Sequence, residues 1–153
     1  SGKLSVSYPA VELHEPICYN YGLDGDDRVA YPFGYGLSYT TFDYSDLKVS
    51  HRRKGWKVQF NVTNTGQRAG DEVCQVYARI PDYEGKCPIK ELKGFARVSL
   101  NPGEKKTVEV FVPNNKLRYW SEAESKFKFS KKKPEIMVGA NSADIRLQLP
   151  AGK

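Results

Sequence analysis

Residues 56–63 read WKVQFNVT, and their polarity changes at every position. The apolar residues from Trp56 to Val62 share one side of an extended chain, and the polar residues from Lys57 to Thr63 share the other. Successive side chains of a β-strand point to opposite faces of its sheet. The stretch therefore predicts an antiparallel strand with one buried and one solvated face.

The same alternation recurs in four further runs. Their apolar positions extend from Cys74 to Ile80, from Ala96 to Leu100, from Val108 to Val112 and from Ile145 to Leu149. Polar segments with turn-forming residues separate the runs, and helical periodicity is nearly absent. Roughly seven short strands with a turn signal about every ten residues predict an all-β fold, a two-sheet antiparallel β-sandwich.

Two local features refine this picture. Pro102 and Gly103 suit a type II turn, because proline presets φ at the second position and glycine supplies a positive φ at the third. Since alternating runs flank this turn, we expect a β-hairpin over residues 96–112. The best helix candidate is NNKLRYWSEAES at 114–125, where the spacing of Leu117 and Trp120 allows one turn at most.

Residues 1–40 differ in kind from the rest of the chain. They are rich in tyrosine and proline and show little alternation, so we expect an extended N-terminal lead-in that meets the sandwich near Thr40–Thr41. Within it, residues 31–40 read YPFGYGLSYT and carry no charge. Aromatic rings bury large apolar areas and glycines allow close backbone approach, so this segment is a candidate contact or binding surface.

The chain has 24 lysines and arginines against 18 acids, a formal net charge of +6. Two basic runs stand out, HRRKG at 51–55 and KFKFSKKK at 126–133. Such runs can bind nucleic acid or an anionic surface, but solvated turns beside strands explain them better, so we expect no nucleic-acid partner. The sequence contains no run of about 18 apolar residues, so it predicts no membrane span. The first residues lack the apolar core of a signal peptide.

Residues that could carry catalysis or hold a cofactor are sparse. The three cysteines, Cys18, Cys74 and Cys87, form no C-x-x-C pair, and Cys74 lies in a strand pattern, as a buried free thiol would. The two histidines, His14 and His51, offer little to a catalytic triad or a metal site. No nucleotide-binding or zinc motif is present. We predict no catalytic residue, no metal and no cofactor.

Paired carboxylates are the groups that hydrolyse glycosidic bonds. The candidate pairs are Asp71–Glu72, Asp82–Glu84 and Glu122–Glu124, and each falls on a predicted turn or loop. Solubility explains acids at such positions, so we interpret all three pairs as exposed loop residues. The acids of DGDD at 24–27 lack the ligand spacing of a calcium loop and receive the same interpretation.

Four segments resemble, in order, family 3 glycoside hydrolases, the β-glucosidase and β-xylosidase group. They are YPFGYGLSYTTFDYSDL at 31–47, VTNTGQRAGDEVCQVY at 62–77, PIKELKGFARVSLNPGE at 88–104 and VGANSADIRLQL at 138–149. The resemblance implies the C-terminal fibronectin type III-like domain of that family, an immunoglobulin-like sandwich. The start, SGKLSVSYP, is similar to the end of the preceding α/β domain, which makes residues 1–40 a tail and linker and residues 41–153 the sandwich.

The resemblance also implies a non-catalytic role. Members of the family are retaining glycosidases whose catalytic acids lie on upstream domains, and neither catalytic motif has a counterpart in this chain. The implied partners are those upstream catalytic domains, with an oligosaccharide substrate at the domain edge as a further candidate. Residues 16–30 and SKKKPE at 130–135 depart from the family pattern. The sequence does not fix the compartment, and a periplasmic or secreted location is favoured over a cytoplasmic one.

Two interpretations of residues 31–40 remain open. As an interdomain contact, the segment would use the residues Tyr31, Phe33, Gly34, Tyr35, Gly36 and Tyr39. As part of a carbohydrate-binding module, the same rings would stack on sugar faces and guide the parent enzyme to polysaccharide. Only Ser38 and Thr40 supply hydrogen-bonding groups nearby, which favours the interdomain contact. That interpretation predicts a segment that is exposed in this chain alone.

Overall fold

A computed structural model describes residues 2–10, 29–81 and 90–149. Its strands are β1 Tyr8–Pro9, β2 Val29–Tyr31, β3 Phe42–Arg52, β4 Gly55–Asn64, β5 Gly70–Arg79, β6 Glu91–Leu100, β7 Lys105–Pro113, β8 Arg118–Ser121, β9 Lys126–Phe129, β10 Glu135–Gly139 and β11 Ile145–Leu149. One antiparallel sheet has the order β3-β4-β7 and the other the order β11-β10-β5-β6. These seven strands confirm the predicted all-β sandwich, and its first strand begins at Phe42.

The core lies between the two sheets and follows the period-two pattern. On β4, Val58, Phe60 and Val62 are completely buried, and they belong to one apolar cluster with Cys74 and Val76 of β5. Removing this apolar surface from water is the main favourable term in folding. The alternation in 56–63 therefore assigns the buried face of the strand correctly.

The middle strand β5 departs from the pattern because both of its faces are buried. Gln75 and Tyr77 alternate with the core residues Cys74 and Val76, and they are only 3% and 0% exposed. A solvated face was the expectation for these positions. Segments of the lead-in cover this face, and they form the candidate site described below.

The predicted hairpin over residues 96–112 is wrong, although its turn is correct. Gly103 has a φ of +73°, and the N–H of Glu104 donates to the carbonyl of Asn101 at 3.0 Å. The two strands nevertheless enter different sheets, since β6 pairs with β5 and β7 pairs with β4. An alternating run keeps the same buried face whether it pairs with its neighbour or crosses to the facing sheet, so the local pattern does not distinguish the two.

Asn64 fixes this crossing. Its side chain is completely buried, and Nδ2 donates to the carbonyls of Arg68 at 2.7 Å and Leu100 at 3.0 Å. Oδ1 accepts from the hydroxyl of Thr40 at 2.7 Å, and the backbone carbonyl accepts from the N–H of Gly103 at 2.9 Å. One buried amide thus links the start of the sandwich, the end of β6 and the crossing turn.

Residues 114–129 form a 3-10 turn followed by a small hairpin. The turn Asn114–Leu117 buries Leu117, which confirms a single helical turn in this region. Trp120 instead lies on β8, which pairs with β9. The sequence does not predict this hairpin, and its second strand contains the start of the basic run 126–133. No helix in the described part of the chain is long and apolar enough to cross a membrane.

Candidate functional site

The candidate site is the lead-in surface, formed by residues 2–9 and 29–40. Its two segments run side by side: Tyr8 is the register partner of Tyr31 across the β1–β2 ladder. Beyond the ladder, the N–H of Leu4 donates to the carbonyl of Tyr35, and the N–H of Gly34 donates to the carbonyl of Leu4, both at 2.8 Å. Backbone pairing therefore joins two segments that are distant in sequence.

Gln75 attaches this pair of segments to the sandwich. Its Nε2 donates to the carbonyls of Gly34 at 3.1 Å and Ala140 at 2.8 Å, and its Oε1 accepts from the hydroxyl of Tyr77 at 2.6 Å. Gly34 has a φ of +79°, and a Cβ built there would clash with the Gln75 amide. Only glycine combines that backbone conformation with so close an approach.

Lys3 makes a second attachment beside the first. Its Nζ donates to the carbonyl of Ala140 at 3.0 Å and lies 3.8 Å from Oε1 of Glu72. That carboxylate also accepts a hydrogen bond from the hydroxyl of Tyr44 at 2.9 Å and is only 4% exposed. The interpretation of Glu72 as an exposed loop residue is therefore wrong, because the lead-in covers it and supplies its cation.

Burial suppresses the acidity of the groups around Glu72. Desolvation, helped by the charge of Glu72, raises the pKa of the Tyr44 hydroxyl well above its usual range. Desolvation likewise raises the pKa of the Cys74 thiol to about 12. Cys74 is a free, buried cysteine, and at neutral pH it stays protonated. The cluster holds the lead-in in place and presents no activated nucleophile.

The six predicted contact residues divide into two groups. Phe33, Gly34, Tyr35 and Gly36 lie wholly or partly buried against the protein itself, whereas Tyr31 is 50% exposed and Tyr39 is 91% exposed. The sequence reasoning missed three other apolar residues of this surface with large exposed fractions, namely Val6, Tyr8 and Leu37. Leu37 is 75% exposed, and its position in an uncharged aromatic run was the available signal.

The alternative interpretation of residues 31–40, a surface on which sugars stack, requires available hydrogen-bonding groups beside the rings, and few are present. The hydroxyl of Thr40 is directed to Asn64, and the hydroxyl of Ser38 accepts from the N–H of Thr40 at 3.4 Å. The rings of Tyr31 and Tyr35 lie 5.2 Å apart and are tilted by 43° to each other. The two polar groups that the sequence offers are thus occupied locally.

Asp71 and Glu124, two further candidate acids, are held as carboxylates by their neighbours. Hydrogen bonds from Ser99 and Arg97 lower the pKa of Asp71, and hydrogen bonds from Lys126 and Lys128 lower that of Glu124 to about 2. A residue whose pKa lies far below neutral does not serve as a general acid at neutral pH. In residues 2–10, 29–81 and 90–149, no group of three or more His, Cys, Asp or Glu could hold a metal ion. The predictions for His14, Cys18, Cys87, Asp82–Glu84 and residues 24–27 concern positions outside the described residues.

Comparison with known proteins defines the class of this domain. Residues 72–142 match the family model described as "Fibronectin type III-like domain". Over 95% of its length, the chain is 33% identical to a periplasmic beta-glucosidase of Salmonella typhimurium, of which it covers 22%. Over 96% of its length, it is 35% identical to a xylan 1,4-beta-xylosidase of Xylanibacter ruminicola, of which it covers 18%.

Solved structures give the same result. Beta-glucosidase 3B from Thermotoga neapolitana, in complex with α-D-glucose, matches 87% of the chain with 40% identity and a TM-score of 0.78. The beta-D-glucoside glucohydrolase from Trichoderma reesei matches 97% of the chain with 30% identity and a TM-score of 0.83. The chain covers 19% and 26% of these two structures.

The fold and the family match define a fibronectin type III-like β-sandwich domain. More particularly, the relatives that the chain matches are β-glucosidases and β-xylosidases of the family 3 glycoside hydrolases, and the chain is similar to a small part of each. The chain spans about a fifth of the length of the curated relatives that it matches.

Proposed function

We propose that this chain is a non-catalytic accessory domain of a β-glucosidase-like glycoside hydrolase. In this proposal it packs against the upstream catalytic domains of the same polypeptide and stabilises them, and the parent protein hydrolyses β-glycosidic bonds in carbohydrate metabolism. The observation that carries the proposal is the lead-in surface, on which Leu37 is 75% exposed and Tyr39 is 91% exposed.

The anchoring gives these exposed side chains a defined position. Gly34 is fixed by Gln75, and Lys3 is fixed by Ala140 and Glu72. When a partner covers side chains whose backbone is already anchored, no further free energy is needed to order that backbone, which lowers the cost of binding. Exposed apolar residues grouped in one region are typical of an interaction surface. The proposed partner is the rest of the same polypeptide. About four fifths of the length of the relatives lies outside the region that this chain matches.

The acids of this chain support the non-catalytic role. Retaining glycosidases need one carboxyl group that can be protonated near neutral pH and a second about 5 Å away as nucleophile. Asp71 and Glu124 have lowered pKa values, and Glu72 is enclosed by Tyr44 and Lys3. The described acids therefore favour structural roles over an acid and nucleophile pair.

The test compares one double substitution in two contexts. Leu37→Ala with Tyr39→Ala leaves this chain's own stability nearly unchanged, because both side chains are exposed here. In the complete polypeptide, the pair lowers the free energy of unfolding by about 2–4 kcal/mol, since it removes buried apolar contacts. Thermal and urea denaturation measure the change in the free energy of unfolding in each context. In the complete polypeptide, loss of β-glucosidase activity reports the unfolding.

Phe111→Ala is the matched control, because Phe111 is also an exposed aromatic residue, at 48%, and lies beside Lys57 on the solvated face of the other sheet. It is expected to leave stability unchanged in both contexts. An equal, small effect of the Leu37 and Tyr39 pair in both contexts would refute the proposed packing. Hydrolysis of aryl β-glucosides by this chain alone, abolished by substitution of one of its acids, would refute the non-catalytic role.

A further inference from the structure

A second aromatic surface lies on the β8–β9 hairpin, which residues 118–129 form. Trp120 and Phe127 are register partners, as are Arg118 and Phe129, so these four side chains share one face. On that face Trp120, Phe127 and Phe129 are 45%, 59% and 58% exposed. Tyr119, on the opposite face, is buried. The hairpin thus attaches to the sandwich by one face and presents aromatic residues on the other.

The exposed rings are held in defined positions. Trp120 and Phe127 make an edge-to-face contact with ring centroids 5.3 Å apart and an interplanar angle of 76°. The guanidinium of Arg118 lies 5.3 Å from the centroid of the Phe127 ring, within the range of a cation–π interaction. Such contacts limit ring rotation, which lowers the entropic cost of binding a ligand.

Phe129 continues this face into a cleft of about 330 Å³. Trp56 and His51 line the cleft on the other side, and their rings are 4.9 Å apart in an edge contact. The remaining lining residues include Lys131, Lys132 and Lys133, and among the described residues that line the cleft none is acidic. The cleft is therefore apolar along its walls and cationic along one rim.

The fold also brings the two basic runs of the sequence to this one end. The run 51–55 forms the turn between β3 and β4, and residues 131–133 follow β9. The first run contributes His51 to the lining of the cleft, and the second contributes Lys131, Lys132 and Lys133. From the sequence alone, the two runs are interpreted as separate solvated turns. In the fold they lie at the same end of the sandwich. Residues 131–133 also belong to the segment that departs from the family pattern.

We propose that the hairpin face and the cleft together bind an acidic oligosaccharide, a chain of pyranoses that carry carboxylates. The aromatic rings would pack on the apolar faces of the sugar rings, and the lysines would pair with the carboxylates. Exposed ion pairs are individually weak, so the rings supply much of the affinity and the lysines select for charge. The choice of a saccharide over a nucleic acid rests on the proposed function.

Calorimetric titration with an oligogalacturonate, and with a neutral cello-oligosaccharide of equal length, tests this proposal on the chain itself. We expect saturable binding of the acidic ligand that weakens several-fold as ionic strength rises from about 0.05 M to about 0.5 M. Phe127→Ala and the double change Lys132→Gln with Lys133→Gln each weaken binding by about fivefold or more. The matched charge control is Lys105→Gln with Lys106→Gln, at the opposite end of β4 and β7, and it leaves binding unchanged.

Thermal denaturation of each variant verifies that it is folded. Three results would overturn the proposal: no saturable heat with the acidic ligand, equal affinity for the neutral ligand at every salt concentration, or equal losses from both lysine pairs. Tighter binding of a single-stranded oligonucleotide of matched charge would also overturn it, in favour of a nucleic-acid surface. None of these outcomes bears on the packing of Leu37 and Tyr39, so the two proposals fail independently.

Discussion

The buried amide of Gln75 donates to the carbonyl of Gly34 across 3.1 Å, and this hydrogen bond attaches the lead-in to the middle of the sandwich. The N–H of Gly34 in turn donates to Leu4, so both lead-in segments are attached at one point. A buried amide left without its partners costs about 1–3 kcal/mol, which favours the attached arrangement. The segments therefore fold with the sandwich and form a fixed base for the exposed residues beside them.

Gly34→Ala tests this attachment. The substitution adds a Cβ that clashes with Gln75, and it also strains a backbone with a φ of +79°. We expect it to lower the free energy of unfolding by about 3 kcal/mol, as measured by urea denaturation. Gly103→Ala is the control for backbone strain alone, because Gly103 has a φ of +73° but open space around it, and about 1 kcal/mol is expected there. Equal losses at the two glycines would show that the contact with Gln75 carries no weight.

Asn64→Ala tests the amide that fixes the crossing from β6 to β7. The change leaves the carbonyls of Arg68 and Leu100 and the hydroxyl of Thr40 without their partner. We expect a loss of about 3 kcal/mol in the free energy of unfolding, since each unsatisfied buried group is costly. Asn61→Ala, on the same strand but with partners on the exposed face, should cost under about 1 kcal/mol. A loss at Asn64 no larger than at Asn61 would contradict this account.

Asp46 gives the stability a defined pH dependence. Its carboxylate accepts hydrogen bonds from Asn61 at 2.6 Å, Ser45 at 2.9 Å and Lys105 at 3.2 Å, and these lower its pKa from 3.8 to about 2. Because the folded pKa lies below the unfolded one, the stabilisation is complete above the unfolded pKa and disappears as the pH falls through about 2. Asp46→Asn should therefore be destabilising at about pH 6 and neutral near pH 2. Urea denaturation at both pH values measures this, and a difference that persists unchanged at the lower pH would be inconsistent with it.

Cys74 should be chemically inert in the folded protein. Its thiol is buried, and its pKa is raised to about 12, so the reactive thiolate is scarce at about pH 8. We expect iodoacetamide to modify the peptide that contains Cys74 rapidly in urea and very slowly in the native state. Peptide mass spectrometry separates this cysteine from the other two. Native labelling as fast as labelling in urea would mean that the facing sheet does not cover this position.

The sequence predicts the strands well because the alternation of polar and apolar residues that forms them is a local property of the chain. In β4, alternation alone identifies Val58, Phe60 and Val62 as core residues. Turn chemistry likewise identifies the positive φ of Gly103. Each of these features depends on residues that are close in sequence and on the period of two in a strand.

The features that sequence reasoning missed depend on distant segments. Gln75 looks solvent-exposed in its own strand, and it is buried because residues of the lead-in return to contact it. Glu72 is buried beside Tyr44 of the facing sheet and Lys3 of the lead-in, and both of these residues are distant in sequence. The choice of sheet after Gly103 depends on which strands β6 and β7 find as partners. The convergence of the two basic runs on one cleft follows from the same topology.

Solvent accessibility of Tyr39 tests the central claim most directly. This side chain is 91% exposed in the chain, and the proposed interdomain packing would cover it in the complete polypeptide. Hydroxyl-radical footprinting, with oxidation of Tyr39 normalised to that of Phe111 on the other sheet, should show a fall of about fivefold or more between the chain and the complete polypeptide, as burial in an interface requires. An unchanged oxidation rate of Tyr39 in the complete polypeptide would contradict the account.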